Sequence, residues 1–141
     1  MGTVTAAVAV GNDCLAEKEE MFQYALKNDP SPFHIDGEAA KNSPYGGLIA
    51  SGGYTVTLWY RSTIPVLKRL AFLGGFEWHI KLPLPVRPGD ILRNEVTVAN
   101  KKVSSKPGRG CVTTQQRMVN QPDQAVFTCE VVWMIGTGPL T

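Results

Sequence analysis

The sequence predicts an α+β domain in which an antiparallel sheet wraps around one buried helix. Three observations carry that expectation. From Phe76 onward apolar and polar residues alternate with period two through four segments separated by turn residues. Ser51–Ser62 is apolar nearly all round, with Val56, Leu58, Trp59 and Tyr60, as a buried helix is. The helical segments come first and the strands follow, an order that argues against a parallel βαβ sheet. The 141 residues make one domain, with a core over about residues 3–135.

Taken in order, Thr3–Val10 is small and β-branched, and reads as an edge strand. Asn12-Asp13 offers cap chemistry for a helix through about Lys27, with Leu15, Phe22, Ala25 and Leu26 on one face. Asn28-Asp29-Pro30 stops it. Residues before proline leave the α region, so Asp29 and Ser31 are expected to be extended and Asp29–Phe33 to be a stiff, non-helical loop. Gly37–Asn42 holds a helical turn, and Ser43-Pro44 breaks it. The central helix follows from Ser51, and Pro65 ends or kinks it. Strands are expected from Phe76 to Leu82 with one wet face, then over Ile91–Val103, Cys111–Val119 and Ala125–Ile135. The tail from Gly136 reads as loose.

Composition excludes several function classes. Fourteen basic against 12 acidic residues leave a formal charge of +2, too small an excess to point to nucleic acid. The three cysteines, Cys14, Cys111 and Cys129, are odd in number and form no CxxC or Cys/His cluster, so neither a disulfide framework nor a zinc site is expected. They read as small apolar residues. The apolar run Leu48–Leu73 is interrupted by Arg61, Pro65, Lys68 and Arg69 and does not read as a membrane span. The Thr5–Val10 run is too short for a signal peptide and has no basic region before it, so a cytoplasmic location is expected.

Chemistry concentrates between Asn28 and Tyr60. An acid, Asp29, lies five residues before a histidine, His34, and a glycine-rich entry leads into the central helix. Histidine suits general-base work near neutrality. Asp29 can hold the same water, or serve as the acid if its site keeps it protonated. Gly52 lies at the expected helix N-terminus, where free N–H groups and the dipole favour negative charge, which makes its N–H the candidate oxyanion donor. The bland alternatives are a turn-forming Asp29, a structural His34, and glycines that serve packing. His79 reads as structural on a solvated strand face, and Asp36 as a cap. Lys101, Lys102, Lys106 and Arg109 surround one hairpin tip that could meet phosphates, though such tips are ordinarily just solvated.

Asp29, Ser31, Pro32, His34, Asp36, Gly46-Gly47 and Ser51-Gly52, with the later Pro85-Val86-Arg87-Pro88-Gly89-Asp90, resemble the site segment and turn of the MaoC-like acyl dehydratases. That family includes the (R)-specific enoyl-CoA hydratases and has the hot-dog fold. The resemblance runs from about Ala16 to Ile135. It implies reversible addition of water to a 2-enoyl thioester, carried by CoA or acyl carrier protein. Asp29 and His34 would activate one water, and Gly52, with Ser51 and Ser31, would form the oxyanion and substrate-binding set. Ser31 stands where many members have asparagine and Ser51 where many have histidine, which bears on the substrate. No metal or redox cofactor is implied. The exposed edges of a small sheet lead to an expected homodimer. Two rival readings are a hot-dog thioesterase and a non-catalytic acyl-thioester binder.

Overall fold

A computed structural model describes residues 8–137 of the chain. Six strands and four helices follow in the order β1 (Val8–Val10), β2 (Cys14–Leu15), α1 (Lys18–Asn28), α2 (Pro32–Ile35), α3 (Gly37–Lys41), α4 (Gly52–Leu67), β3 (Phe72–Lys81), β4 (Ile91–Val103), β5 (Arg109–Val119) and β6 (Ala125–Gly136). The sheet is antiparallel, in the order β1-β4-β5-β6-β3, with β2 added beside β4. The long strands are those the alternation predicts. Leu92, Asn94 and Val96 of β4 and Phe127, Cys129, Val131 and Trp133 of β6 point inward. Helix α4 lies against that face, where Trp59 packs on Phe127 with ring centroids 5.2 Å apart. The hot-dog arrangement of sheet around helix is therefore present. Of the expected first strand, Val8–Val10 forms β1, and the rest lies outside the described residues.

Several local expectations are corrected. Helix α1 starts at Lys18, because Cys14-Leu15 is drawn into pairing with Leu92 and Ile91. Glu17 is its cap instead of Asn12-Asp13, with its carboxylate accepting from the N–H groups of Glu19 and Glu20 at 3.1 and 2.9 Å. Leu15 consequently leaves the helical face, and Met21 and Ala25 are the buried residues of α1. Asp29 (φ −160°, ψ 73°) and Ser31 (φ −63°, ψ 142°) do leave the helical region, but the second proline starts a helix. Pro32 occupies the first position of α2, where a missing N–H costs nothing. His34 thus stands on a helical turn instead of a loop.

Pro65 neither ends nor breaks α4, which continues to Leu67. The carbonyl it leaves free is that of Arg61, an exposed residue, where water can satisfy it. Nor is α4 buried all round, since Tyr60 and Ile64 are exposed. Strand β3 begins at Phe72, earlier than its alternation indicated, and both of its faces are open: Trp78 is 45% exposed on one, and Glu77 and His79 are exposed on the other. Gly136 belongs to β6 rather than to a loose tail.

Inside, α4 meets the sheet through a polar cluster. The Trp59 indole N–H donates to Gln116 Oε1 at 2.6 Å, and Asn94 Nδ2 donates to Thr63 Oγ1 at 3.0 Å. Outside, Arg61 and the Tyr54 hydroxyl both donate to Glu20 and tie α1 to α4. These contacts hold the start of α4 against α1 and the turn that follows it. No helix among the described residues is long and apolar enough to cross a membrane.

Candidate active site

The segment between α1 and α4 is short and heavily tied. Asp29 closes α1, its N–H donating to Ala25 O at 2.9 Å. Ser31 and Pro32 then start α2, which turns His34 inward. Asp36 caps α3, its Oδ1 accepting from Glu38 and Ala39 N–H, as the sequence indicated. The chain returns through Ile49, whose N–H donates to Phe33 O, and Ala50, whose N–H donates to Val86 O at 2.8 Å. Arg87 completes the lacing by donating to the carbonyls of Tyr45 (2.6 Å) and Gly47 (3.3 Å). The result sets the N-terminus of α4 beside α2 and under the proline-rich segment 82–86.

His34 Nδ1 lies 2.8 Å from the Ile49 carbonyl. A carbonyl only accepts, so Nδ1 carries the hydrogen and Nε2 is the nitrogen free for chemistry. Nε2 faces Asp29 Oδ2 at 3.2 Å; the His34 side chain is 7% and the Asp29 side chain 40% exposed. Ser51 donates to Oδ2 at 2.9 Å and Ser31 to Oδ1 at 3.1 Å. The Ser51 hydroxyl, followed by Ser31 and the neighbouring imidazole, holds the Asp29 carboxyl below its usual range against the opposing effect of burial. Asp29 is therefore a carboxylate at neutral pH, which disfavours a protonated acid at this position. With Nδ1–H committed and Asp29 ionised, direct contact requires a proton on Nε2. For the ring to act as a base this 3.2 Å contact has to widen and admit a water that donates to both Nε2 and Oδ2.

Two cavities meet at His34. The first, about 340 Å³, is lined by His34, Gly52, Thr55 and an apolar wall that includes Phe33, Ile49, Leu84 and Val86. The second, about 560 Å³, lies toward α1, with Glu17, Lys18 and Glu19 around it. Only the first contains Gly52, so it is the one in which a group held by the helix N-terminus would also meet the imidazole. Gly52 opens α4, where the N–H groups of the first turn lack intrahelical acceptors.

The expected site residues come together. The hydroxyls of Ser31 and Ser51 are directed to Asp29, and neither residue lines the first cavity. Both hold the Asp29 carboxylate. Thr55, Tyr45 and Leu84 are not singled out as site residues by the sequence, and Pro85-Val86 enters there only as part of a turn. Thr55 lies three residues after Gly52, on the same helical face, and that spacing was the available signal. The charged hairpin at Lys101–Arg109 sits at the opposite end of β4 from the 82–90 segment. His79 is exposed and faces Glu130 across the sheet. Cys14 and Cys129 are buried, which raises both thiols, Cys129 to about 11; neither is poised as a nucleophile. Among the described residues no three His, Cys, Asp or Glu side chains cluster as metal ligands.

Known proteins bear on this arrangement. An uncharacterised Bacillus subtilis protein, YdeM, is 29% identical over 124 residues, 84% of each chain. The crystal structure of a MaoC-like dehydratase from Rhodospirillum rubrum is 31% identical with a TM-score of 0.90, covering 97% of this chain and 95% of that one. An (R)-hydratase from A. caviae matches at 22% identity and a TM-score of 0.68, over 92% and 95% of the two chains, a likeness of fold. The family model described as MaoC like domain matches residues 3–128. With that match over most of its length, the chain belongs to the MaoC-like domain family.

Proposed function

We propose that this protein is a hydro-lyase that adds water reversibly to a 2-enoyl thioester, giving a 3-hydroxyacyl thioester. The observation that carries the reading is the placement of His34 Nε2. It is held between the Asp29 carboxylate and a cavity whose other end is the free N-terminus of α4. The likeness to the Rhodospirillum rubrum MaoC-like dehydratase, at 31% identity, supports the same reaction class.

In the hydration direction Nε2 and Oδ2 move apart from their 3.2 Å contact to admit a water that donates to both. Its oxygen attacks C3 while one hydrogen passes to Nε2. The thioester oxygen takes up the negative charge and meets the Gly52 N–H. The proton on Nε2 then moves to C2, which returns the imidazole to its starting form and completes addition of one water to one face. Asp29 accepts a hydrogen bond from the second hydrogen of the water, which stays on the oxygen as the product hydroxyl, and stabilises the transient imidazolium. No step calls for a metal or redox cofactor. The thioester is one of CoA or acyl carrier protein. Loss of the ultraviolet absorbance of but-2-enoyl-CoA without release of free thiol is the expected assay result. Thiol release at the same rate would make the protein a thioesterase instead.

Titration of the Asp29 carboxyl tests the role of Ser51. The acidity of Asp29 is increased by the Ser51 hydroxyl before any other contact. A depressed carboxyl pKa keeps the anion present to lower pH, and the anion is lost as pH falls through the folded-state value. Ser51→Ala is therefore expected to move the Asp29 titration, followed by carboxyl-carbon NMR, to higher pH. An Asp29 titration that stays in place would remove this role from Ser51.

The reading extends to a homodimer. Phe72, Leu73, Phe76 and Trp78 leave an apolar, unpaired edge on β3, which a second copy would cover. Sedimentation at micromolar concentration is expected to give a dimer or larger species. A monomer of full activity would refute it.

A further inference from the structure

The first cavity contains a buried hydroxyl that the hydration step does not use. Thr55 lies three residues after Gly52 on α4, is 3% exposed, and lines the cavity. Its Oγ1 is 3.5 Å from the Ser51 carbonyl, beyond the about 2.5–3.0 Å of an ordinary O–H···O bond. Two other threonines on the same helix supply the comparison. Thr57 and Thr63 donate to the carbonyls four residues back at 3.0 and 2.6 Å. Of the three, Thr55 alone leaves its donor largely unspent, and it is the one that faces the cavity.

The rest of the wall is uncharged. Phe33, Ile49, Ala50, Leu82, Leu84 and Val86 line it with no lysine or arginine among them. The His34 imidazole is already opposed by the Asp29 carboxylate. A second carboxylate on the acyl chain would lose its hydration without finding a cation, beside a fixed negative charge. A hydroxyl or carbonyl oxygen faces no such penalty if it meets a donor. Gly52 and Thr55 are separated by about 4.5 Å along the helix axis. With the thioester oxygen at the Gly52 N–H, the Thr55 hydroxyl stands abreast of the acyl carbons just beyond the double bond.

We infer that Thr55 is a specificity-determining residue that selects neutral 2-enoyl thioesters carrying an oxygen substituent at C4. The inference rests on the hydratase reading for the position of the thioester. Three CoA thioesters differing at C4 test it: but-2-enoyl (methyl), 4-hydroxybut-2-enoyl (hydroxymethyl) and fumaryl (carboxylate). The expected order of kcat/KM is hydroxymethyl above methyl, with carboxylate lowest. Thr55→Val is isosteric and is expected to shrink the hydroxymethyl-to-methyl ratio by about five- to tenfold, the scale of one neutral hydrogen bond. Thr55→Ser should keep the ratio, and Thr57→Val, at a half-buried residue that does not line the cavity, should leave all three rates unchanged. A purely structural Thr55 would lower the rates in parallel and leave the ratio alone.

An unchanged ratio in Thr55→Val, or fumaryl-CoA as the best substrate, would overturn the inference. If the wild-type protein hydrates none of the three, the hydratase reading fails, and calorimetry with the saturated butanoyl- and 4-hydroxybutanoyl-CoA decides on Thr55. Tighter binding of the hydroxy compound that disappears in Thr55→Val upholds the selection; equal affinities refute it.

Discussion

Asp29→Asn and His34→Ala are each expected to lower hydration of a 2-enoyl-CoA by about 10²–10⁴-fold, the usual scale of positioned acid–base groups. The two variants fail for different reasons. In Asp29→Asn the side chain keeps its shape, and one of the two serine hydroxyls, Ser31 at Oδ1 or Ser51 at Oδ2, can still donate to the amide oxygen while the other faces the amide nitrogen and must accept from it. The negative charge opposite Nε2 is lost, so the water is no longer held from two sides and the imidazolium is no longer stabilised. Folding should be little affected, because the Asp29 side chain is 40% exposed and the amide keeps its shape. In His34→Ala the base itself disappears and the Ile49 carbonyl loses its donor. Leaving that buried acceptor without a partner costs about 1–3 kcal/mol of stability, so activity must be expressed per folded molecule. The double variant should be little worse than either single one, since the two groups hold the same water. Wild-type turnover in folded Asp29→Asn would take Asp29 out of the mechanism.

The second large effect is expected at Gly52. A Cβ added there meets only a methyl of Leu82, at 3.0 Å, the end of a flexible side chain. Gly52→Val should therefore fold while placing branched carbon where the thioester oxygen approaches. If the N–H stabilises the developing charge, kcat falls by about 10²–10³-fold, the loss typical of one oxyanion donor. Gly53→Ala is the contrasting variant. Its Cβ would run into the Tyr24 hydroxyl and stand 3.1 Å from the ring carbon that bears it. Overpacking of that kind costs about 1–3 kcal/mol. Gly53→Ala should thus lower the melting temperature and leave activity per folded molecule nearly intact. Two adjacent glycines would then separate, one serving the reaction and one serving the contact of α4 with α1. Full activity in folded Gly52→Val would leave the thioester oxygen without its assigned donor.

The long strands and the core of α4 were legible because their signals are local. Period-two alternation names the inward residues of β4 and β6 whatever surrounds them, and the glycine entry marks the start of α4. The pre-proline rule likewise placed Asp29 and Ser31 outside the helical region, since it rests on a clash between adjacent residues. Errors arose where a distant partner competes for the same residues. Asn12-Asp13 has good cap chemistry, yet Cys14-Leu15 is claimed by β4, some 76 residues further along by the Leu15–Ile91 pairing, and Glu17 takes the cap instead. Pro65 is tolerated because the carbonyl it strands is that of an exposed residue, a property of packing and not of spacing.

The site divides along the same line. Sequence by itself determined which residues are chemically able: an acid, a histidine, and a glycine at the head of an apolar helix, in a spacing that resembles the MaoC-like family. Tertiary structure alone decided what each atom does. It directed Ser31 and Ser51 to the Asp29 carboxylate, used the Ile49 carbonyl to assign the proton on Nδ1, and left Nε2 facing that carboxylate. It also turned Thr55 into the cavity with its hydroxyl unspent. The physical reason is that hydrogen bonds act over about 3 Å and depend on direction. Asp29 and Ser51 are 22 residues apart and His34 and Ile49 are 15 apart, and only the folded chain brings either pair within that reach.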